Sequence, residues 1–143
     1  MKNIIHIFLF GTLLLFSFSL EAGTNYVSNQ DGDWNVAANW TPNGVPDVNG
    51  WPNDKVTINH AMTYTGTLTL TGSTSSVRIG QNGSLDVSVK LNMTSGKLRM
   101  DVGSSLSAPV VAVEGSGNDV VLDGLITSTG NMVLDKKMSG SPT

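Results

Sequence analysis

Apolar residues recur along the second half of the chain with a period of about 21 residues, which is typical of solenoid repeats. Ile58, Ile79 and Met100 are evenly spaced at this period. Self-similarity at one period indicates a repeat architecture, because each unit cannot bury its apolar face alone and stacks on its neighbours. Three columns keep the period closely: Ile58, Ile79, Met100 and Leu122; Leu70, Leu91, Val113 and Leu134; and Tyr64, Leu85, Leu106 and Ile126.

Within each repeat, apolar residues alternate with polar ones, which predicts β-strands. The segments 56–58, 77–79 and 98–100 each read apolar, polar, apolar. Such alternation turns one set of side chains inward and the other outward. A coil of this length predicts an all-β, right-handed parallel β-helix of about four rungs, with the hand taken from the general rule for parallel connections. An antiparallel sandwich also has short alternating strands, but it has no reason to keep one period through four repeats.

The segment 1–22 has the composition of a secretory signal peptide. Lys2 provides a basic start, residues 4–20 are almost wholly apolar, and Ala22 offers a small residue for cleavage. A membrane anchor is the alternative, although the apolar run is shorter than the ~20 residues that a span normally needs. We therefore expect a secreted or cell-surface protein with a signal peptide (1–22), an N-terminal cap (23–54) and β-helix repeats (55–143).

The chain contains no cysteine and few charged residues. It therefore forms no disulfide and no cysteine-ligated zinc site. Removal of residues 1–22 deletes one lysine and one glutamate, so the formal net charge stays at −3. Because nucleic-acid binding depends on a basic patch that neutralises phosphates, this mild acidity argues against a nucleic-acid partner. No motif indicates a cofactor or a metal, and no membrane span is expected after signal cleavage.

Residues 23–54 do not follow the repeat and contain all three tryptophans of the chain. The first rung of a solenoid exposes an apolar end and unpaired strand edges, which a capping segment has to cover. We expect Trp34, Trp40 and Pro46 to form this structural cap, because the tryptophans have the bulk to close the end.

The same segment resembles a known family. The order Gly-x-Trp, Asn-Trp, Gly-x-Pro and Asp-x-Val-x-Ile is similar to the opening of the extracellular domain named for its eight glycines. It also resembles the N-terminal caps of bacterial secreted β-solenoids of the autotransporter-like and Bacteroidetes types. The resemblance implies an extracellular, polysaccharide-related protein and carries over no catalytic residue. A longer insertion between Pro46 and Asp54 departs from the family's tight link. The matching positions are Gly32, Trp34, Asn39, Trp40, Gly44, Pro46, Asp54, Val56 and Ile58.

Charged residues fall on outward positions of the predicted repeats. Arg78 and Arg99 are separated by one period, so they should be neighbours one rung apart. Asp101 and Asp123 follow the inward column, where one carboxylate beside another would raise a pKa or bind a cation. Paired carboxylates beside an arginine suit a polysaccharide lyase or glycosidase. The other interpretation is solvated corner residues screened by Arg99, because four rungs offer no long loops for a cleft.

Two further side chains are candidates for a site. Trp51 lies in the insertion, where it would stack on a sugar ring if exposed or add to the cap if buried. His60 is the one histidine of the chain beyond the predicted signal peptide. A catalytic role for it would need an orienting carboxylate and a nucleophile, whereas a histidine in a turn is usually solvated.

The sequence therefore predicts a non-catalytic β-solenoid scaffold or adhesion-type module that binds glycans. The expected partners are an extracellular polysaccharide or another solenoid segment, and the absence of a second cap in the sequence predicts that repeats continue in a longer protein. The alternative function is the N-terminal module of a polysaccharide-active β-helix enzyme, a lyase or glycosidase. The expected binding residues are Trp51, Arg78, Arg99, Asp101 and Asp123.

Overall fold

The chain folds into an all-β solenoid of parallel stacked strands with about four turns. The computed structural model describes residues 22–49 and 54–134. The signal peptide predicted for residues 1–22 lies outside these ranges except for Ala22. Trp51 and the tail from residue 135 also lie outside the described residues.

Short strands make up most of the described chain, together with one 3-10 helix at Ala37–Asn39. In the described ranges the strands are β1 (Asn25–Ser28), β2 (Gly32–Asp33), β3 (Trp40–Thr41), β4 (Lys55–Ile58), β5 (Ala61–Tyr64), β6 (Thr67–Leu70), β7 (Ser76–Ile79), β8 (Ser84–Val87), β9 (Lys90–Met100), β10 (Ser105–Ser107), β11 (Val110–Leu122), β12 (Leu125–Thr127) and β13 (Met132–Leu134).

The parallel strands lie on three faces of the solenoid. The first face consists of β1, β4, β7 and the second halves of β9 and β11. The second face consists of β2, β5, β8, β10 and β12. The third face consists of β6, the first halves of β9 and β11, and β13. Strands β9 and β11 are long because each continues around the corner between the third and first faces.

A glycine makes one of these corners possible. Gly96 has a φ of +99°, a backbone conformation that L side chains rarely adopt. A Cβ at this position would also lie 2.8 Å from the carbonyl oxygen of Gly72 and 2.9 Å from that of Ser75. Strand β9 therefore turns tightly over the corner of the preceding rung.

The inward column on the first face has the predicted register. Ile58 pairs with Ile79, Ile79 with Met100, and Met100 with Leu122. Ile58, Ile79 and Met100 are 0% exposed. This ladder of apolar side chains forms the centre of the core, and it confirms both the repeat and the inward face.

Two of the predicted columns are partly wrong in register. On the third face Leu70 pairs with Met93 rather than Leu91, and Leu91 pairs with Leu68 and Val111. On the second face, the residue that pairs with Leu85 is Met62 rather than Tyr64. The corners differ in length, since residues 71–75 connect β6 to β7 whereas 94–96 form the equivalent turn within β9. Each error is a shift of two residues, which leaves the same side chains facing inward.

The segment before Lys55 already contributes to the stack. Strand β1 pairs in parallel with β4 and β2 with β5, while β3 lies antiparallel to β1. The solenoid therefore begins before the predicted repeats.

Two tryptophans fill the interior of this first layer. Trp34 and Trp40 are each 1% exposed, and their ring centroids lie 5.0 Å apart in an edge-to-face arrangement. The Nε1 atom of Trp34 donates to the carbonyl of Pro46 (3.2 Å), and Nε1 of Trp40 donates to the carbonyl of Trp34 (2.7 Å). Both indole N–H groups are therefore satisfied within the core. This packing agrees with the expected cap, whose function at the end of the stack stays a prediction.

The corrected register can be tested with engineered disulfides, because the chain has no cysteine of its own. Thr69 pairs with Asn92, and neighbouring strands are about 4.8 Å apart, which suits a disulfide. We expect the Thr69→Cys/Asn92→Cys variant to form this bond on mild oxidation, as measured by mass spectrometry of peptides. The matched Thr69→Cys/Lys90→Cys variant should stay reduced, because diagonal positions are about 7–8 Å apart. A disulfide in the Thr69→Cys/Lys90→Cys variant but not in the Thr69→Cys/Asn92→Cys variant would instead support the pairing of Leu70 with Leu91.

Candidate functional site

The outward side chains of the first face form a polar wall that alternates with the buried core. They come from β4, β7 and the second halves of β9 and β11, and we call this surface the outer wall. Its members are Lys55, Thr57, Ser76, Arg78, Lys97, Arg99, Asp119 and Val121.

Two arginines lie side by side in the outer wall, as predicted. Arg78 and Arg99 are direct register partners on adjacent strands, and like charges in such a position destabilise a sheet. The carboxylate of Asp101 offsets this repulsion. Its Oδ2 accepts from Nε (3.0 Å) and Nη2 (2.6 Å) of Arg78, while its Oδ1 accepts from Nε of Arg99 (3.0 Å).

The two arginines determine the charge state of Asp101. The hydrogen bond from Arg78 is the largest influence and lowers the pKa of Asp101, and Arg99 lowers it further, while partial burial opposes both. The same carboxylate raises the pKa of Arg78. Asp101 is therefore ionised at neutral pH, and the expectation of a raised pKa is wrong for this residue because the arginines contact it directly.

Asp123 lies one rung from Asp101, as predicted. The backbone N–H of Asp101 donates to Ile79 (2.9 Å) and that of Asp123 donates to Met100 (3.0 Å), so both aspartates extend the same ladder of hydrogen bonds. In the described part of the chain, Asp123 forms no salt bridge. The two carboxylates therefore differ, since one is held between arginines and the other is exposed to solvent.

Shallow depressions surround Arg78. One of about 320 Å³ is bordered by Arg78, Arg99, Asp101 and Asp123, and a second of about 320 Å³ lies between Arg78, Arg99 and Lys97. A third of about 380 Å³ lies on the other side of Arg78. Arg78 borders all three, so they form one continuous uneven surface across the outer wall and its corner with the second face.

The structure adds basic residues that sequence reasoning missed. Lys97 lies two residues before Arg99 on the outer wall, and its Nζ is 3.7 Å from Asp119 Oδ2. Lys55 is exposed on the same wall. Among the described residues, four of the five lysines and arginines therefore lie on the outer wall, and the fifth is Lys90 on the third face. Lys55 and Lys97 also occupy outward positions in the alternation of apolar and polar residues that identified Arg78 and Arg99, so the same pattern predicts them.

His60 takes part in a structural link. Ser28 Oγ accepts from the backbone N–H of Asn59 (2.9 Å) and lies 3.0 Å from Nδ1 of His60. Ser28 is only 2% exposed, so its hydroxyl is not presented to a substrate in solution. This network joins β1 to the corner after β4.

The residues of the N-terminal motif also have structural contacts. A Cβ on Gly32 would collide with the amide of Asn39, whose Nδ2 donates to the carbonyl of Asp33 (2.8 Å). Asp54 is 4% exposed and accepts from the backbone N–H groups of Thr24 (2.8 Å) and Asp47 (2.7 Å). These contacts fix the start of the solenoid.

The described ranges contain no group of three or more histidine and acidic side chains placed to hold a metal ion. They also contain no helix with the length and apolar character that a membrane crossing requires. Trp51, the remaining predicted binding residue, lies outside the described residues.

No family model matches the chain, and neither do any curated protein or any solved structure. The resemblance to the eight-glycine domain therefore stays a prediction that rests on the N-terminal motif.

The contribution of Asp101 to stability should depend on pH. Since its pKa is lower in the folded chain, its ionised form stabilises the fold above the unfolded-state value of about 3.9. This contribution is lost as the pH falls through the lower folded-state pKa. We expect Asp101→Asn to lower the thermal midpoint slightly at pH 7, because both arginines are more than half exposed.

The thermal midpoints of the wild type and this variant should converge as the pH falls below about 3.9, which calorimetry at several pH values would measure. Asp123→Asn is the matched control, because it removes the same charge one rung away. Identical pH profiles for the two variants would contradict the proposed contribution of Asp101.

Proposed function

We propose that this chain is a secreted or cell-surface β-solenoid module of the scaffold or adhesion type that binds a glycan without cleaving it. The observation that carries this proposal is the outer wall, where parallel stacking presents charged and polar side chains in register along a rigid surface. The secreted location rests on the signal-peptide composition of residues 1–22.

The form and chemistry of the outer wall suit a glycan better than a small apolar ligand. Ligand pockets for small molecules are usually enclosed, whereas the first and third depressions around Arg78 are open to solvent. Polar groups from Thr57, Asn59, Gln81 and Asn82 border the third depression. Such groups exchange hydrogen bonds with the hydroxyls of a sugar, which both donate and accept.

The state of Asp101 supports binding over catalysis. Glycoside hydrolysis commonly uses one protonated carboxyl group as an acid and a second carboxylate as a base or nucleophile. The arginines lower the pKa of Asp101, so this group is a poor proton donor at neutral pH. Asp101 therefore does not suit the role of the acid that the alternative enzyme function requires.

Export can be tested directly on the full chain. Expression in a bacterial host with a general secretory pathway should give a processed protein outside the cytoplasm that begins at Gly23, as measured by mass spectrometry of the intact protein. Ala22→Asp should reduce processing, because signal peptidases require a small residue at the cleavage site. A wild-type chain that keeps Met1 and stays inside the cell would contradict the secreted location.

Glycan binding can be tested with the processed protein and a panel of immobilised polysaccharides that are neutral, carboxylated or sulfated. We expect retention on at least one class, with no shortening of the retained polysaccharide when the eluted chains are sized. Retention on none of them would overturn the glycan-binding function. Shortening that is lost in an Asp101→Asn/Asp123→Asn variant would instead support the enzyme alternative.

A further inference from the structure

We infer that the outer wall binds a linear anionic polysaccharide, whose carboxylate or sulfate groups are held by Arg78, Lys97 and Arg99. This inference rests on the proposed glycan-binding function and specifies its site and ligand class.

The distribution of charge favours an anionic ligand. The whole chain has a formal net charge of −3, yet four of the five basic residues in the described ranges lie on the outer wall. The side chains of Arg78, Lys97 and Arg99 are 53%, 62% and 60% exposed. Around the second depression these three basic side chains lie with one acidic residue, Asp119, and a local excess of basic groups attracts anionic ligands.

Both arginines keep N–H donors that Asp101 does not use. Arg78 uses Nε and Nη2 on Asp101, and Arg99 uses Nε alone. Among the described residues, Nη1 of Arg78 and both terminal nitrogens of Arg99 have no hydrogen-bond partner. Asp101 thus holds one edge of each guanidinium group, which reduces the entropy that the arginines lose when a ligand binds. A guanidinium edge that carries two donors fits a carboxylate or sulfate.

The three basic groups also lie close together on the outer wall. Arg78 and Arg99 are on adjacent rungs, about 4.8 Å apart, and Lys97 shares the strand of Arg99. Arg78, Lys97 and Arg99 all border the second depression, with Asp119 at its margin. An extended polymer that crosses these two rungs passes both Arg78 and Arg99, with Lys97 beside Arg99 along the strand.

The acidic residues of the same surface favour a polysaccharide over nucleic acid. Asp119 borders the second depression and Asp123 borders the first. Each strand of DNA carries a charge about every 3.4 Å, and these carboxylates would repel such a dense row of phosphates. A polysaccharide presents hydroxyl groups between its anionic groups, and a hydroxyl can donate to Asp119 or Asp123.

An acidic peptide is also a poorer fit. Peptides commonly bind a sheet by adding a strand to an open edge. Strands β4 and β7 and the second half of β9 have paired neighbours on both sides. The strands that carry Arg78, Lys97 and Arg99 therefore offer side chains instead of an unpaired edge.

The test compares Arg99→Gln with Lys90→Gln, because each removes one positive charge but Lys90 lies on the third face. Binding to polygalacturonate, heparin and dextran is measured by calorimetry at low and moderate salt with the processed protein. We expect one of the two anionic polymers to bind, and the choice between them assigns carboxylate or sulfate. Arg99→Gln should weaken that binding on the order of tenfold through the lost charged hydrogen bonds. Lys90→Gln should leave it unchanged, and salt should weaken it.

Each of the other outcomes overturns this inference, its ligand class, or the proposed function as well. Dextran binding equal to that of the anionic polymers, or an Arg99→Gln variant that binds like the wild type, overturns this inference but leaves the proposed function in place. Binding of none of the three polymers, nor of any other glycan in the panel, overturns both. If duplex DNA binds more tightly than either polysaccharide, and Arg99→Gln weakens DNA binding as much as polysaccharide binding, the proposed ligand class is overturned. If Arg99→Gln does not fold, as judged by circular dichroism, Lys97→Gln replaces it, since Lys97 has only a 3.7 Å ion pair.

Discussion

The structure depends on the in-register hydrogen bonding of one rung to the next. A parallel ladder places each residue directly beside its equivalent on the neighbouring strand, so inward and outward positions repeat together. Met100 therefore lies against Ile79 in the core, and Arg99 lies beside Arg78 on the surface. The same ladder that buries the apolar side chains creates a row of like charges, and Asp101 offsets the repulsion that follows.

This constraint explains how much of the fold the sequence predicts. On the first face, the column from Ile58 to Leu122 has the predicted register. On the third face, Leu70 pairs with Met93 although Leu91 has the more regular spacing. A shift of two residues preserves the alternation of inward and outward side chains, so the apolar pattern does not distinguish the two pairings. The lengths of the corners decide between them, and turns of different length are equally polar in the sequence.

The sequence predicts only part of the proposed site, since Lys97 was missed and Trp51 lies outside the described residues. The period places Arg78 beside Arg99 and Asp101 in the same column as Asp123, and the structure agrees. For Asp101 the raised pKa is wrong, and the other interpretation, screening by Arg99, agrees with the contact of Arg99 with its Oδ1. A column describes neighbours at equivalent positions, so it does not show that Arg78 also reaches Asp101 diagonally, on the next rung. Long side chains make such diagonal contacts, which a backbone register alone does not specify.

Asp101 has two opposing effects on an anionic ligand of the outer wall. Its negative charge cancels part of the attraction between the arginines and the ligand, so it lowers the affinity. Its hydrogen bonds hold both guanidinium groups in place, so they raise the affinity. The balance differs between the two partners, because Arg78 has two nitrogens bound to Asp101 and Arg99 has one. Arg99 therefore keeps the larger share of its donors for a ligand. On this rigid surface, a stabilising ion pair and a binding site can share the same side chains.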